Sequence, residues 1–182
     1  VALLACADPA RLQQALAAIT LDIEPLPAVL TIDASLAAKE VLYGSDNVQK
    51  SYKLEHGLEG DAIEEHLKAS EVRLTGTYSV HHQEQLYIEP QGVIAWWDDA
   101  GVHVTGSLQC PYYVHKAMKR AFAMEGDRVH ITQAVTGGGF GGKEEYPSII
   151  SAHAALLAKV AGKPVRMIYQ RKEDIEATTK RH

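Results

Sequence analysis

The sequence predicts a mixed α/β (α+β) fold that includes a strand–glycine-rich loop–helix–strand unit. Three observations favour this class. Helical and strand-like hydrophobic patterns alternate along the chain, and a run rich in glycine at residues 136–144 separates a strand pattern from a helix pattern. Of the 182 residues, 46% are hydrophobic and 23% are charged, so the chain is able to bury a core.

The first part of the chain predicts short elements. Val1 to Cys6 has the apolar pattern of a buried strand, and Asp8 followed by Pro9 is typical of the start of a helix. That helix is predicted over 9–19. The sequence then predicts an extended segment at 21–32 that prolines restrict to a sheet edge, a short helix at 33–40, and a polar surface connection at 42–59 with a domain boundary near it.

The second part predicts most of the sheet. Asp61 is expected to cap a short polar helix that ends near Ala69, and the turn 98–101 is expected to join two strands as a hairpin. The predicted strands are 72–80, 92–97, 102–107, 129–135 and 165–169, and the predicted helices are 111–124 and 144–160. The last strand–helix–strand run predicts a βαβ-like unit.

Composition excludes several classes of protein. Eighteen Lys and Arg against 23 Asp and Glu give a net charge of −5, which argues against a nucleic-acid partner. No apolar run is long enough to cross a bilayer, so no membrane partner is expected. Cys6 and Cys110 lack metal-ligand spacing and are predicted to be buried, free thiols in a reducing compartment, which favours a cytoplasmic location. Because the chain begins without methionine and ends after a charged segment, we expect a piece of a longer protein.

The glycine-rich loop is the strongest chemical feature. Five of the six residues 137–142 are glycine, more than a tight turn requires, so the loop predicts a ligand-binding role in which backbone amides approach an anion. A phosphate-binding P-loop is one alternative, but Glu144 occupies the position of the magnesium-binding Ser or Thr. A dinucleotide site is another, but the nearest acidic residues for a ribose, Glu173 and Asp174, lie too far along the chain.

A second polar segment, HHQEQLYIEPQG at residues 81–92, follows a predicted strand. Strand ends commonly supply ligand groups, and we expect this segment to act together with the glycine-rich loop. His81 and His82 are adjacent, so on a strand they face opposite sides and do not chelate one metal ion. No metal site made of protein ligands is therefore predicted.

At these motifs the sequence resembles the molybdenum-binding subunit of the xanthine dehydrogenase/aldehyde oxidase family. The family pattern G-Q-[DE]-x-x-Y-[IL]-E matches HQEQLYIE at 82–89, and its GGGFGGKE matches 137–144. Ser107-Leu108-Gln109 resembles the family's S-T-Q, and RKEDIEATTKRH at 171–182 resembles its R-x-E-D-x-x-x-T-x-x-R-H. The chain departs from the pattern at His82, at Gln85-Leu86 and at Thr179-Lys180.

The resemblance implies roles for particular residues. Gln83 matches the glutamine that hydrogen-bonds the molybdenum oxo group, and Gly141 matches the residue whose backbone approaches the metal's ligands. Gly139 belongs to the same cofactor-binding loop. Phe140 matches the phenylalanine that packs on the substrate ring, and Glu144 matches the catalytic-site carboxylate that hydrogen-bonds a purine. Molybdenum itself is held through the pterin.

The resemblance also implies an architecture and an activity. Residues 1–40 are expected to be the C-terminal part of a hammerhead-like domain, 41–60 a linker, and 61–182 the N-terminal part of a molybdopterin-binding domain. The expected activity is oxidation of purines or other N-heterocycles with water-derived oxygen, with aldehyde oxidation or aromatic thioester reduction as alternatives. Iron–sulfur clusters and FAD are expected on other domains or subunits. The general base lies outside the 182 residues, so we expect the isolated chain to be inactive.

Overall fold

The computed structural model describes residues 2–180, which form two compact units. One unit consists of the residues up to Ile19 together with those from Val80 onward, and the other is Thr20–Ser79. The first unit contains helix α1 (Pro9–Ala17) and all the strands, and the second contains helices α2 (Ile32–Leu36) and α3 (Asp61–Lys68).

A four-stranded mixed sheet organises the first unit. Its strands are β1 (Gly92–Asp98), β2 (Gly101–Gly106), β3 (Val129–Gln133) and β4 (Val165–Ile168), in the order β3-β2-β1-β4. β1 pairs antiparallel with both β2 and β4, whereas β2 and β3 are parallel. The register pairs Trp97 with Val102 and Asp98 with Gly101, which confirms the predicted hairpin.

Two helices supply the other half of the core. Helix α4 (Pro111–Phe122) connects the parallel strands β2 and β3, and helix α5 (Pro147–Ala161) connects β3 to β4. Each has proline at the start, where no amide hydrogen bond is lost, and each ends in a left-handed residue, Ala123 or Gly162. The buried core between helices and sheet consists of Val93, Ala95, Val102, Val104, Leu108, Val114, Met118, Val129, Ile150, Ala154, Ala155 and Ala158. A short helix α6 (Arg171–Ala177) follows β4.

The predicted mixed α/β class is confirmed, with differences in individual elements. The βαβ unit of neighbouring strands is β2-α4-β3, because β1 and β2 lie between β3 and β4 in the sheet. The helix predicted from Glu144 begins at Pro147, and residues 141–146 form turns and bends. Asp61 is the first residue of its helix rather than its cap, since Gly60 occupies the cap position.

Two predicted strands are absent from the described residues. Residues 2–6 are not a strand, Val1 lies outside the described residues, and Cys6 is exposed rather than buried, while Cys110 is partly buried; both thiols are free. The segment 72–80 alternates apolar and polar residues as a strand does, but its apolar side chains are exposed and it pairs with no strand among residues 2–180. Alternation predicts a strand only where a neighbour covers the apolar side.

The second unit, Thr20–Ser79, contains no buried residue. Its best-defined local feature is Asn47, whose side-chain amide donates to the carbonyl oxygens of Ser35 and Glu40 at 2.9 and 2.8 Å and whose side-chain oxygen accepts from the Tyr43 amide at 3.1 Å. These bonds fold the connection after α2 into a compact turn. The predicted domain division at 1–40, 41–60 and 61–182 stays a prediction. Within the part of the chain that is described, no helix has the length and apolar character required to span a membrane.

Candidate functional site

The glycine-rich loop between β3 and α5 adopts left-handed backbone conformations. Gly138 and Gly141 have φ of 99° and 89°, which glycine accepts readily, but Phe140 has φ of 48° and carries a side chain. The phenylalanine side chain is 77% exposed. A bulky residue that is both strained and exposed indicates a functional constraint rather than a packing role.

The inner side of the same loop packs too closely for side chains. A Cβ atom at Gly139 would lie 2.3 Å from the side-chain oxygen of Gln109, and one at Gly142 would lie 2.5 Å from the Tyr87 ring. The loop turns back on itself through a 2.7 Å hydrogen bond from the Gly142 amide to the Gly139 carbonyl. Glycine is therefore required at these two positions for space rather than for flexibility.

Gln109 holds the loop through one oxygen atom. Its Oε1 accepts hydrogen bonds from the backbone amides of Gly141 and Lys143, each at 3.1 Å. Its own backbone amide donates to the Lys143 carbonyl at 2.7 Å. The amides of Gly138, Gly139 and Phe140 have no acceptor within residues 2–180. Three successive N–H groups thus remain as donors for a bound group.

Lys143 lies beneath the loop with no exposed side-chain surface. Its Nζ donates to Glu89 Oε2 at 2.8 Å and to Ser107 Oγ at 3.0 Å. The same Glu89 oxygen accepts from Ser107 Oγ at 2.6 Å and from the Gly137 amide at 2.7 Å. Partial burial opposes ionisation of Glu89, but hydrogen bonds from Lys143, Ser107 and Gly137 outweigh it and lower the pKa of Glu89 to about 2. We call Glu89, Ser107 and Lys143 the loop-closing triad.

A second buried group joins the segment 81–92 to helix α6. The Tyr87 hydroxyl donates to Asp174 Oδ1 at 2.6 Å, and the backbone amide of Gln91 donates to Asp174 Oδ2 at 3.0 Å. Gln91 Nε2 in turn donates to the Tyr87 hydroxyl at 2.9 Å and to the Gly142 carbonyl at 2.7 Å. Burial and the Asp174 carboxylate raise the pKa of Tyr87 well above its usual range, so this hydroxyl is a structural donor.

The structure gathers four of the five predicted site residues on one loop. Phe140, Gly141 and Glu144 lie on its exposed side, and Gly139 lies on its buried side. Gln83 is exposed, and its side chain makes no hydrogen bond among the described residues. Other side chains of the same segment lie against the loop: Tyr87 and Gln85 approach the Cβ position of Gly142 to 2.5 and 3.3 Å. The site roles of all five stay predictions.

Two sequence alternatives lose support from this geometry. Lys143 points inward to Glu89, so it is not placed to contact a phosphate as a P-loop lysine does. Asp174 is completely buried and engaged with Tyr87, so it is not available to a ribose. The helix start is also separated from the glycine-rich loop, since α5 begins at Pro147.

Sequence reasoning alone did not assign the residues that hold the loop. Glu89, Ser107, Gln109 and Asp174 belong to the quoted motifs, yet their pairing with Lys143 and Tyr87 requires contacts between distant parts of the chain. Lys180, at a position where the chain departs from the family pattern, also has a partner. Its Nζ lies 2.8 Å from Glu84 Oε2, and both side chains are largely buried. No cluster of three His, Cys, Asp or Glu side chains suited to a metal ion occurs in residues 2–180.

The fold matches solved oxidoreductases. An aldehyde oxidoreductase from Desulfovibrio gigas superposes with a TM-score of 0.82 and 21% identity, covering 96% of this chain and 19% of that chain. Quinoline 2-oxidoreductase from Pseudomonas putida 86 gives a TM-score of 0.76 and 21% identity over 95% of this chain and 22% of that one. At these identities the likeness shows the fold.

The family follows from sequence. The model of the molybdopterin cofactor-binding domain matches residues 44–182, and the chain belongs to this family. It is 32% identical to the nicotinate dehydrogenase large molybdopterin subunit of Eubacterium barkeri, over all of this chain and 42% of that protein. It is 26% identical to the xanthine dehydrogenase molybdenum-binding subunit of Escherichia coli O157:H7, over all of this chain and 24% of that subunit. The chain thus spans less than half the length of either relative.

Proposed function

We propose that the full protein is a molybdenum hydroxylase that oxidises purines or other N-heterocycles with oxygen derived from water. The observation that supports this most directly is the loop 138–140, which has three free backbone donors and a strained, exposed aromatic side chain. Relatives named for nicotinate and xanthine, both N-heterocycles, share the whole length of this chain. Iron–sulfur and flavin groups on other domains or subunits, and a cytoplasmic location, belong to the same proposal.

The residues present fit a molybdopterin cofactor. Three adjacent N–H groups suit an oxygen-rich group, as backbone donors in a concave loop generally do. When bound, the molybdenum centre supplies the two-electron oxidation and the oxygen transfer. In this proposal the backbone of Gly139 and Gly141 lies next to the cofactor, and the Gln83 amide group donates a hydrogen bond to it.

The exposed residues of the loop orient the substrate. Phe140 offers a ring face for stacking on a planar heterocycle, and its left-handed backbone turns that ring away from the core. Glu144 is exposed and three residues before α5, so its carboxylate is available to a ring N–H. An aldehyde lacks such a group, so Glu144 favours a purine-type substrate over a simple aldehyde.

Metal analysis of the purified full-length protein tests the proposal first. We expect about one molybdenum atom per chain and incorporation of labelled oxygen from water into hypoxanthine or nicotinate. A folded protein that contains no molybdenum and oxidises neither compound would refute it.

Two variants then test the residue assignments in the full-length enzyme. A hydrogen bond to a charged group contributes about 1.5–3 kcal/mol, so Glu144→Val should lower kcat/KM for a purine by about ten- to a hundredfold and should affect an aromatic aldehyde much less. Equal losses on both substrates would contradict the role of Glu144. Gln83→Ala should lower turnover without lowering the melting temperature, because the side chain is exposed; an unchanged rate would remove Gln83 from the site.

A further inference from the structure

Both ends of the glycine-rich loop meet at a single oxygen atom. Glu89 Oε2 accepts the Gly137 amide at 2.7 Å, where the loop begins, and Lys143 Nζ at 2.8 Å, where the loop ends. Ser107, at the end of β2, donates to the same oxygen at 2.6 Å. The five residues between 137 and 143 are therefore closed into a bulge by contacts at its two ends.

The charged group of Lys143 is buried and paired inside the protein. The side chain is completely buried, its Nζ has Glu89 and Ser107 as partners, and the Tyr87 ring centroid lies 4.8 Å away. An ion pair whose cation is buried is a weak source of net stability, because desolvation of the ammonium group offsets much of the attraction. Its geometric effect is larger: a buried ammonium group requires its acceptors at fixed positions, which fixes the loop that is attached to them.

We propose that Lys143 is a positioning residue: through Glu89 and Ser107 it holds residues 137–142 in the conformation that leaves the amides of 138–140 without internal acceptors and the Phe140 ring exposed. The importance of this conformation for a cofactor rests on the proposed function. The ordering of the loop by Lys143 does not rest on the proposed function, so the ordering and the function are tested by separate experiments.

The main variant is Lys143→Met in the full-length protein, which keeps the length of the side chain and removes the charge. Amide hydrogen exchange, measured without substrate, should increase by about tenfold or more at Gly137 and Gly141 and stay unchanged in β1 and β2. Lys159→Met is the matched control. Lys159 belongs to the same unit, but its ammonium group lies over the Trp97 and Phe122 rings and not at the loop, so loop exchange should stay as in the wild type.

A second substitution and the pH dependence of stability distinguish a positioning role of Lys143 from a general loss of stability in the variant. Lys143→Met removes the charge and the hydrogen bond that Lys143 supplies to Glu89, so the pKa of Glu89 should rise toward its ordinary value of 4.5 in that variant. As the pH falls from about 4.5 toward 2, the wild type loses stability that the variant does not have, so the difference in melting temperature between them should narrow over that range. Lys143→Met/Glu89→Gln contains no carboxylate that lacks its cation, so part of the loop protection should return.

The outcomes decide the proposal. Unchanged exchange at Gly137 and Gly141 in Lys143→Met, or an equal increase throughout the sheet, would overturn it. If Lys143→Met does not fold, Ser107→Ala removes one of the two partners of Lys143 while the Glu89 ion pair remains, and it should raise loop exchange by a smaller factor; no increase would overturn the proposal. A wild-type protein that contains no molybdenum would refute the proposed function and leave the loop result intact.

Discussion

Replacing Gly139 by alanine tests whether Gln109 holds the loop as the structure indicates. The new Cβ would lie 2.3 Å from Gln109 Oε1 and 2.7 Å from its Cδ. Gly139 has no positive φ, so alanine is acceptable to the backbone itself. The cost must therefore come from displacement of the Gln109 side chain, which accepts the amides of Gly141 and Lys143.

The expected magnitude follows from those two hydrogen bonds. Each contributes about 0.5–1.5 kcal/mol net, so Gly139→Ala should lower the free energy of unfolding by about 1–3 kcal/mol. Gln109→Ala removes the same two bonds without a clash and should cost a similar amount. In the Gln109→Ala background, the three atoms nearest to the new Cβ are absent, so Gly139→Ala should be neutral, or stabilising by about 0.4–1 kcal/mol, because alanine restricts the unfolded chain.

Urea denaturation followed by tryptophan fluorescence measures these free energies. The sequence contains two tryptophans, Trp96 and Trp97, and both lie on β1, so the signal reports on the unit that contains the loop. Gly141→Ala is the matched control: its φ of 89° makes alanine strained, but no atom lies within 4 Å of the new Cβ. Its cost of about 1–2 kcal/mol should persist in the Gln109→Ala background. If the costs of Gly139→Ala and Gln109→Ala add to within about 0.5 kcal/mol, the two residues are not coupled and the reasoning is refuted.

Three further predictions concern the buried groups around the loop. The pKa of Glu89 is lowered to about 2 from 4.5, so Glu89 contributes stability above pH 4.5 that is lost as the pH falls toward 2. The full pKa difference corresponds to about 3 kcal/mol, which we reduce to about 1–2 kcal/mol because the side chain is 43% exposed. The free energy of unfolding of Glu89→Gln, measured as a function of pH, should lack this dependence. Tyr87→Phe leaves Asp174 without a donor at one oxygen and should lower the free energy of unfolding by about 1.5–3 kcal/mol in urea denaturation. Tyr112→Phe, at a residue that is 83% exposed, should change little, and equal effects of the two substitutions would contradict the contact between Tyr87 and Asp174. Ile150→Ala in the core of α5 should cost about 2–5 kcal/mol by the same assay, and a cost below about 1 kcal/mol would mean that this helix is not packed as described.

Local chemistry predicted the sheet and its main helices well. The turn at 98–101, proline at the start of α4 and glycine after α5 are each determined by a few neighbouring residues, and the structure confirms them. The segment 72–80 was wrongly predicted as a strand because its pattern carries no information about a neighbour. Whether an alternating segment becomes a strand depends on residues elsewhere in the chain that pair with it.

The position of the loop was predictable, but its supporting contacts were not. Glycines between a strand pattern and a helix pattern indicate a ligand loop from composition alone. The direction of Lys143 depends on Glu89 and Ser107, which belong to two other segments. Glu144 already argues against the P-loop alternative from sequence, but the inward direction of the lysine is known only from these contacts. The role of Asp174 likewise depends on Tyr87, far away in sequence.

The division of the loop into a buried and an exposed side limits what its motif can indicate. Gly139, Gly142 and Lys143 are turned toward Gln109, Tyr87 and Glu89, so these residue types are required by the shape of the loop.

Phe140 and Glu144 face outward and have no such packing requirement. A match to the motif as a whole is therefore a strong indication of the molybdopterin-binding fold and a weak indication of the substrate. Substrate class has to be tested at the exposed positions, and for that reason Glu144 rather than Lys143 is the residue whose replacement should change the preference between a purine and an aldehyde.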